Sequence, residues 1–298
     1  MTCPCTRRTF LHDAAIVAIA AVAPPAARRR AWFAPAPLRI GVAEFARDPS
    51  AIARTRGLQL GLEEARHAAA LFGGTIELTP VTTAALPTHR LSAVVGGGTT
   101  DDCASLSEAA SAARVLHLNV GCSSDDLRGA GCRPETFHVA PSDAMLRDAV
   151  AQADHPADAW ATAWDPSLVR YGADTLNQRF RARFRQSMTA EAWTAWVAIK
   201  MLWEASLRTR ATDGAAIGAY LRAESTQFDG HKGRPLSFRS WDQQLRQPVY
   251  VVAPSPVPGG VTRVIAELPA TTGDTEASRD ALDRLGTGRA DSRCRLAS

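Results

Sequence analysis

Two short segments carry the residue types needed to hold a small polar ligand. One is "GGGTT", Gly96–Thr100, and the other is "GCSSD", Gly121–Asp125. Both follow an apolar run and begin with glycine, which lets backbone approach a bound molecule closely. Both then offer hydroxyls and free amides at or near a helix start, where a carboxylate is favourably held. Thr99, Thr100, Gly121, Cys122, Ser123 and Ser124 are the candidate ligand-binding residues on this reading. Taken singly, each segment also reads as a plain strand-to-helix turn with Thr or Ser as N-cap. Repetition of the pattern at two neighbouring strand ends is what favours a ligand.

Other chemistry finds less support. His89, His117, His138, His155 and His231 are scattered, and none makes the two-histidine helical spacing of a zinc hydrolase. No G-x-S-x-G nucleophile elbow is present. Cys122 beside Ser123, with His117 nearby, has the makings of a nucleophile site. However, His117 shares a strand face with Asn119, and a disulfide readily consumes Cys122. "FDGHKG" (228–233) precedes a strand rather than opening a helix, so it reads as a turn and not a phosphate cradle. The expectation is a non-enzyme with no catalytic residue, metal or cofactor.

The elements that must position the two segments alternate along the chain. Apolar, β-branched runs at 38–45, 75–81, 90–98, 114–121 and 136–141 read as strands. "SAIARTRGLQLGLEEARHAAALFGG" between the first two is helical, with Ile52, Leu58, Leu62, Ala65 and Ala69 near one face and Gly73–Gly74 as a C-cap. "TTDDCASLSEAASAA" is a helix with capping residues at its start, and Ser142 caps "DAMLRDAVAQA". Continuous apolar strands alternating with helices indicate a buried parallel sheet, whose ligands lie beyond the carboxyl ends of the strands. Both candidate segments occupy that position. After Asp154 the pattern changes to consecutive helices over 171–186, 189–209 and 213–225. "FDGHKGRPLSF" and "QPVYVVAPSP" then read as an antiparallel pair.

Charge and cysteines bound the compartment and the partners. The formal net charge is +4 over 298 residues, and the first thirty residues, with five arginines against Asp13, carry all of it. A neutral body lacks the basic stripe that nucleic acid requires. Arg7–Arg8, Phe10–Leu11 and the apolar run Ala14–Val22 resemble a twin-arginine export signal, with Ala34 and Ala36 offering a cleavage region. The run is too short to span a bilayer, which takes ~20 residues. The expected location is the periplasm, where Cys103, Cys122, Cys132 and Cys294 read as disulfide candidates. Cys122–Cys132 and Cys132–Cys294 are the two pairings that stand out, and the sequence leaves the choice open.

"FDGHKGRPLSF…QPVYVV" (228–252), with the Trp196 and Trp203 helix before it, is similar to the C-terminal signature of type I periplasmic binding proteins. These are receptors of ABC importers. "LRIGVAEF", "AVVGGGTT", "LNVGCSSDDLRG" and "FHVAPSD" follow in that family's order. "GADTLNQRF", "FDGHKGRPLSFRSWDQQLRQP" and "DSRCRLAS" look like one subgroup, the ABC substrate-binding proteins associated with PQQ-dependent alcohol dehydrogenase systems. The resemblance implies an α/β fold of two lobes closing on a small solute, with Thr100, Gly121 and Ser123 at ligand positions of the first lobe.

One departure matters. Only about a dozen residues separate "DAVAQ" from "DAWATAW", so roughly 90 family residues are expected to be missing from the second lobe. The implied layout is an export signal at 1–36 and a Rossmann-like parallel-sheet lobe at 37–153. A truncated, helix-rich lobe at 154–265 and an extended tail at 266–298 follow. Trp160 and Trp164 are the second-lobe residues that could line a residual cleft, with core packing as the plainer role. The implied function is solute binding for an ABC permease. The competing reading is a non-transport partner or sensor of a periplasmic alcohol dehydrogenase system.

Overall fold

In the first strand, β1 (Leu38–Ala43), only Arg39 reaches solvent, because both faces of a central parallel strand are covered. The computed structural model describes residues 36–43, 45, 48–256, 262–270 and 281–296. The expected export signal lies outside the described residues except for Ala36. After β1 come α1 (Ala51–Phe72), β2 (Ile76–Val81), a 3-10 helix (Thr83–Thr88), β3 (Ala93–Gly96) and α2 (Thr100–Ala113). Then follow β4 (Leu116–Asn119), a second 3-10 helix (Asp125–Arg128), β5 (Thr136–His138) and α3 (Asp143–Gln152). The five strands form one parallel sheet in the order β2-β1-β3-β4-β5. It is the α/β, parallel-sheet architecture expected from the alternation of elements.

Side-chain alternation along β3 assigns the two faces. Ala93 and Val95 join the large core that includes Leu58 and Leu62 of α1, while Val94 packs with Leu106 and Ala110 of α2 and Leu86 of the first 3-10 helix. Helix α1 ends where Gly73 takes a left-handed conformation at φ 74° and Gly74 N–H donates to the Ala69 carbonyl at 2.9 Å. Ser142 caps α3, its hydroxyl accepting from Met145 N–H at 3.1 Å. Both ends were readable from residue type.

Beyond α3 the chain makes β6 (Trp160–Thr162), α4 (Ala173–Phe184), α5 (Ala190–Thr209) and α6 (Gly214–Arg222). Four further strands follow: β7 (Ser237–Phe238), β8 (Leu245–Arg246), β9 (Val249–Pro254) and β10 (Thr262–Leu268). A second sheet has the order β10-β9-β6 and is antiparallel, with α3 packed on it through Met145 and Ala149 against Val249 and Val251. The antiparallel pair expected from "FDGHKGRPLSF" and "QPVYVVAPSP" is not formed. Phe228 and Leu236 instead bridge to each other, both backbone bonds at 2.8 Å, so the glycine-bearing stretch closes on itself. No helix opens at this stretch, in keeping with its reading as a turn. Strand β7 pairs with β8, and β9 takes β6 and β10 as neighbours.

Helix α5 returns to the first sheet and lies against α1. A Cβ on Gly57 would stand 2.0 Å from the Ala192 carbonyl oxygen, and one on Gly61 2.9 Å from that of Trp196. Glycines four residues apart on α1 therefore form the groove that admits the α5 backbone. Trp193 stacks on Trp164 at 5.7 Å between ring centroids, and Trp196 Nε1 donates to Glu64 Oε2 at 2.9 Å. The disulfide joins Cys132 to Cys294 across 162 residues of sequence. Cys122–Cys132, the other pairing weighed from sequence, is not made, because the Cys122 side chain is buried beside Cys103.

Candidate functional site

Asn119, the last residue of β4, shapes the loop that follows. Its Oδ1 accepts from the amides of Gly121 at 3.2 Å and Cys122 at 2.9 Å, and its Nδ2 donates to the Cys122 carbonyl at 2.8 Å. A buried amide that answers backbone groups on both its atoms holds a loop in one conformation. The loop is further anchored where Thr194 of α5 donates its hydroxyl to the Val120 carbonyl at 2.7 Å.

The loops after β3 and β4 meet at Gly97 and Gly121. A Cβ on Gly97 would stand 2.6 Å from the Gly121 amide nitrogen, so only glycine allows the approach. Arg54, from the first turn of α1, lies alongside, donating to the Gly97 carbonyl at 3.0 Å while ion-paired with Asp48. It lines a crevice of only about 10 Å³ between the ends of β1 and β3, the topological switch point where an open α/β sheet commonly admits a ligand.

A cleft of about 270 Å³ opens instead beyond β4 and β5. Its volume is near the ~300 Å³ lower end for small-ligand sites. Gly121 and Ser123 line one side, with Ala140 and Pro141 from the end of β5. Trp160 and Thr162 of β6 face them, and Ala190 and Glu191 bring the N-terminal end of α5 to the rim. That helix end favours negative charge, whereas Glu191 opposes it.

Beneath the floor lies Arg128, from the second 3-10 helix, 4% exposed. Its guanidinium donates to the carbonyls of Ser124 at 2.8 Å, Cys122 at 3.1 Å and Ala140 at 2.7 Å. Burial pulls its pKa down to about 10, which leaves it charged at neutral pH. Its hydrogen-bond partners are neutral carbonyls and Gln244 Oε1, while Cys122, Asp242, Asp125 and Asp143 act on it electrostatically from farther off. A cation under two cleft-lining loops favours an anion there only by the part of its charge that these groups leave uncompensated.

The other sequence candidates fall as follows. Thr99 is the N-cap of α2, its hydroxyl accepting from Asp102 N–H at 3.2 Å while the Asp102 carboxylate accepts from Thr99 N–H at 3.0 Å. This reciprocal box commits Thr99 to the helix end. The Thr100 hydroxyl lies 3.9 Å from Cys122 Sγ and does not line the cleft. Cys122 is buried and turned away from it, and Ser124 sits at the start of the second 3-10 helix. Trp160, 44% exposed, lines the cleft, whereas Trp164 is buried in the core with its Nε1 bonded to Asn177. Asn119, Arg128 and Glu191 escaped the sequence reading. Asn119 and Arg128 carried one signal in the sequence, a place within two residues of Gly121 and Gly129; their burial is known only from the structure.

No protein-family model matches this chain, and no curated protein does. Solved structures do. A periplasmic binding protein from Burkholderia mallei superposes with a TM-score of 0.68 at 13% identity, over 88% of this chain and 99% of that one. The closed form of a leucine-, isoleucine-, valine-, threonine- and alanine-binding protein from Brucella ovis gives 0.69 at 11% identity, over 88% and 99%. A solute-binding protein of an ABC transporter from Rhodopseudomonas palustris BisB5, in complex with 3,4-dihydroxybenzoic acid, gives 0.64 at 11% identity, over 79% and 98%. The chain has the fold of the type I periplasmic binding proteins.

Proposed function

We propose that the protein is the solute-binding component of an ABC-type importer. It holds a small polar or anionic metabolite, amino-acid-like or linked to alcohol oxidation, in the cleft between the ends of β4 and β5 and strand β6. The observation that carries this reading is the joint placement of Gly121 and Ser123 on the cleft wall above the buried Arg128 guanidinium. The backbone and hydroxyl of that loop receive the anionic end of the solute, and Trp160 covers it from the second lobe. Structural neighbours that bind amino acids or an aromatic acid support the class of ligand.

On this reading residues 1–36 export the chain by the twin-arginine route to the periplasm, where an ABC permease receives it. The lobes are 37–153 and a shortened 154–265, with a tail at 266–298. A second sheet of three strands among the described residues supports the shortening. The motifs "GADTLNQRF" and "DSRCRLAS" support a link to PQQ-dependent alcohol dehydrogenase systems. Those motifs also support the second reading, a partner or sensor module of such a system that binds no solute.

A thermal-shift screen against amino acids, alcohols and carboxylates separates the two. A receptor gains stability with its solute by mass action, about 2.7 kcal/mol at a hundredfold excess over Kd. The partner module gains none. Ser123→Ala is expected to weaken binding by about 1–3 kcal/mol if the hydroxyl meets a charged group, and unchanged affinity would refute the site. Adding Thr100→Ala is expected to change little more. Glu191→Gln distinguishes solutes: it weakens one with an ammonium group and strengthens a simple anion.

A further inference from the structure

Cys103 and Cys122 stay outside the Cys132–Cys294 bond and carry free, buried thiols. They come from different elements, Cys103 from the first turn of α2 and Cys122 from the loop after β4. Together with Leu127 they form an apolar cluster of their own. The Asn119 side chain relates their positions, since its Oδ1 lies 3.9 Å from Cys103 Sγ and accepts from the Cys122 amide at 2.9 Å. Cys122 Sγ in turn lies 3.9 Å from the hydroxyl of Thr100, one turn before Cys103 on the same helix. The two thiols share that cluster and respond in opposite senses. The neighbouring Cys103, with the Ser124 amide, the Thr100 hydroxyl and the Arg128 charge, draws Cys122 down against the effect of its burial. Cys122 and burial push Cys103 up.

We propose that Cys103 and Cys122 are a site of reversible thiol oxidation, which a small-molecule disulfide converts into a second intramolecular bond tying α2 to the loop after β4. Cys122, 4% exposed against 0% for Cys103, is the attacking thiolate when local opening of the loop after β4 admits the reagent, and Cys103 is the resolving thiol. With glutathione disulfide, the Cys122 sulfur attacks one sulfur of the reagent, the S–S bond breaks, and one glutathione leaves as its thiolate. Cys103 gives its proton to that thiolate and attacks Cys122 Sγ, expelling the second glutathione, which takes a proton from water. Two protein thiols are oxidised and one glutathione disulfide is reduced to two thiols. Cys122 stands between Gly121 and Ser123, so the new bond alters the cleft wall. That last consequence rests on the proposed binding site, whereas the oxidation does not.

The test is mass spectrometry of the purified protein after equilibration with glutathione disulfide, acid quenching and alkylation. The expected result is that alkylatable thiols at these positions fall from two to none, with a crosslinked Cys103–Cys122 peptide that reduced glutathione reopens. Protein already carrying that crosslink before treatment supports the proposal equally. In Cys103→Ser, a persistent glutathione adduct on Cys122 is expected, because the resolving thiol is gone. Two thiols that remain alkylatable, or a lasting adduct on Cys122 in the unaltered protein, would overturn the proposal. A solute titration of the oxidised and reduced forms then reads the effect on the cleft separately. Equal affinity there removes only the consequence for binding.

Discussion

His117 sits in the middle of β4, fully buried, with its Nδ1 3.0 Å from the Ser107 hydroxyl. Burial drives its pKa down to about 4, only partly offset by the Gly96 backbone. His138 on β5 is likewise held well below its ordinary value, by burial first and then by Arg128 and His117. Between pH 6.5 and about 4 the unfolded chain takes up a proton at position 117 that the folded chain refuses. Stability is therefore present above pH 6.5, is lost as pH falls through that window, and levels off below it. The expected loss from His117 alone is about 3 kcal/mol. Urea unfolding at pH 7 and pH 4.5 measures it, and in His117→Gln the difference between the two pH values should shrink. The shared strand face of His117 and Asn119 was legible in the sequence, because a strand alternates its side chains. Asn119 as the post around which the next loop winds was not, since that depends on the path of backbone already bent by Gly121.

Among the elements, the packing of α1 on α5 is the tightest. Overpacking an interior costs about 1–3 kcal/mol, more where neither side can give way. Gly57 faces backbone rather than a flexible side chain, at the N-terminal end of α5. Gly57→Ala is accordingly expected to lower stability by at least ~2 kcal/mol despite alanine's better helix propensity. Gly73→Ala, at φ 74° with open space around it, should cost ~1 kcal/mol through backbone strain alone. Melting curves of both variants check the ranking. The alternation of strands and helices in the first half was readable because long apolar periods survive any tertiary context. Strands β7 and β8 were not, since two-residue strands carry no period, and their pairing follows from where Arg239, Gln243 and Gln244 turn the chain. Helix α5 showed its tryptophans at helical spacing, yet the sequence did not disclose that it returns to the first sheet.

At the scale of the molecule, the Cys132–Cys294 bond joins the end of the loop after β4 to a segment far along the chain. A crosslink restrains the unfolded chain more as the enclosed loop lengthens, with ~5 kcal/mol as the chain-entropy value for loops of 100 residues or more. Cys294→Ser is expected to lose about 2–5 kcal/mol, read as a lower urea midpoint that dithiothreitol reproduces in the unaltered protein. Sequence named both partners but could not choose between them, because the choice turns on Cys122 pointing inward. The bond has one more outcome, for a protein met by proteases. A single backbone cut anywhere between residues 132 and 294 leaves two fragments still covalently married, including α5 and the lobe it braces. A nicked molecule would migrate as one species until reductant is added, so cleavage within that span need not release anything.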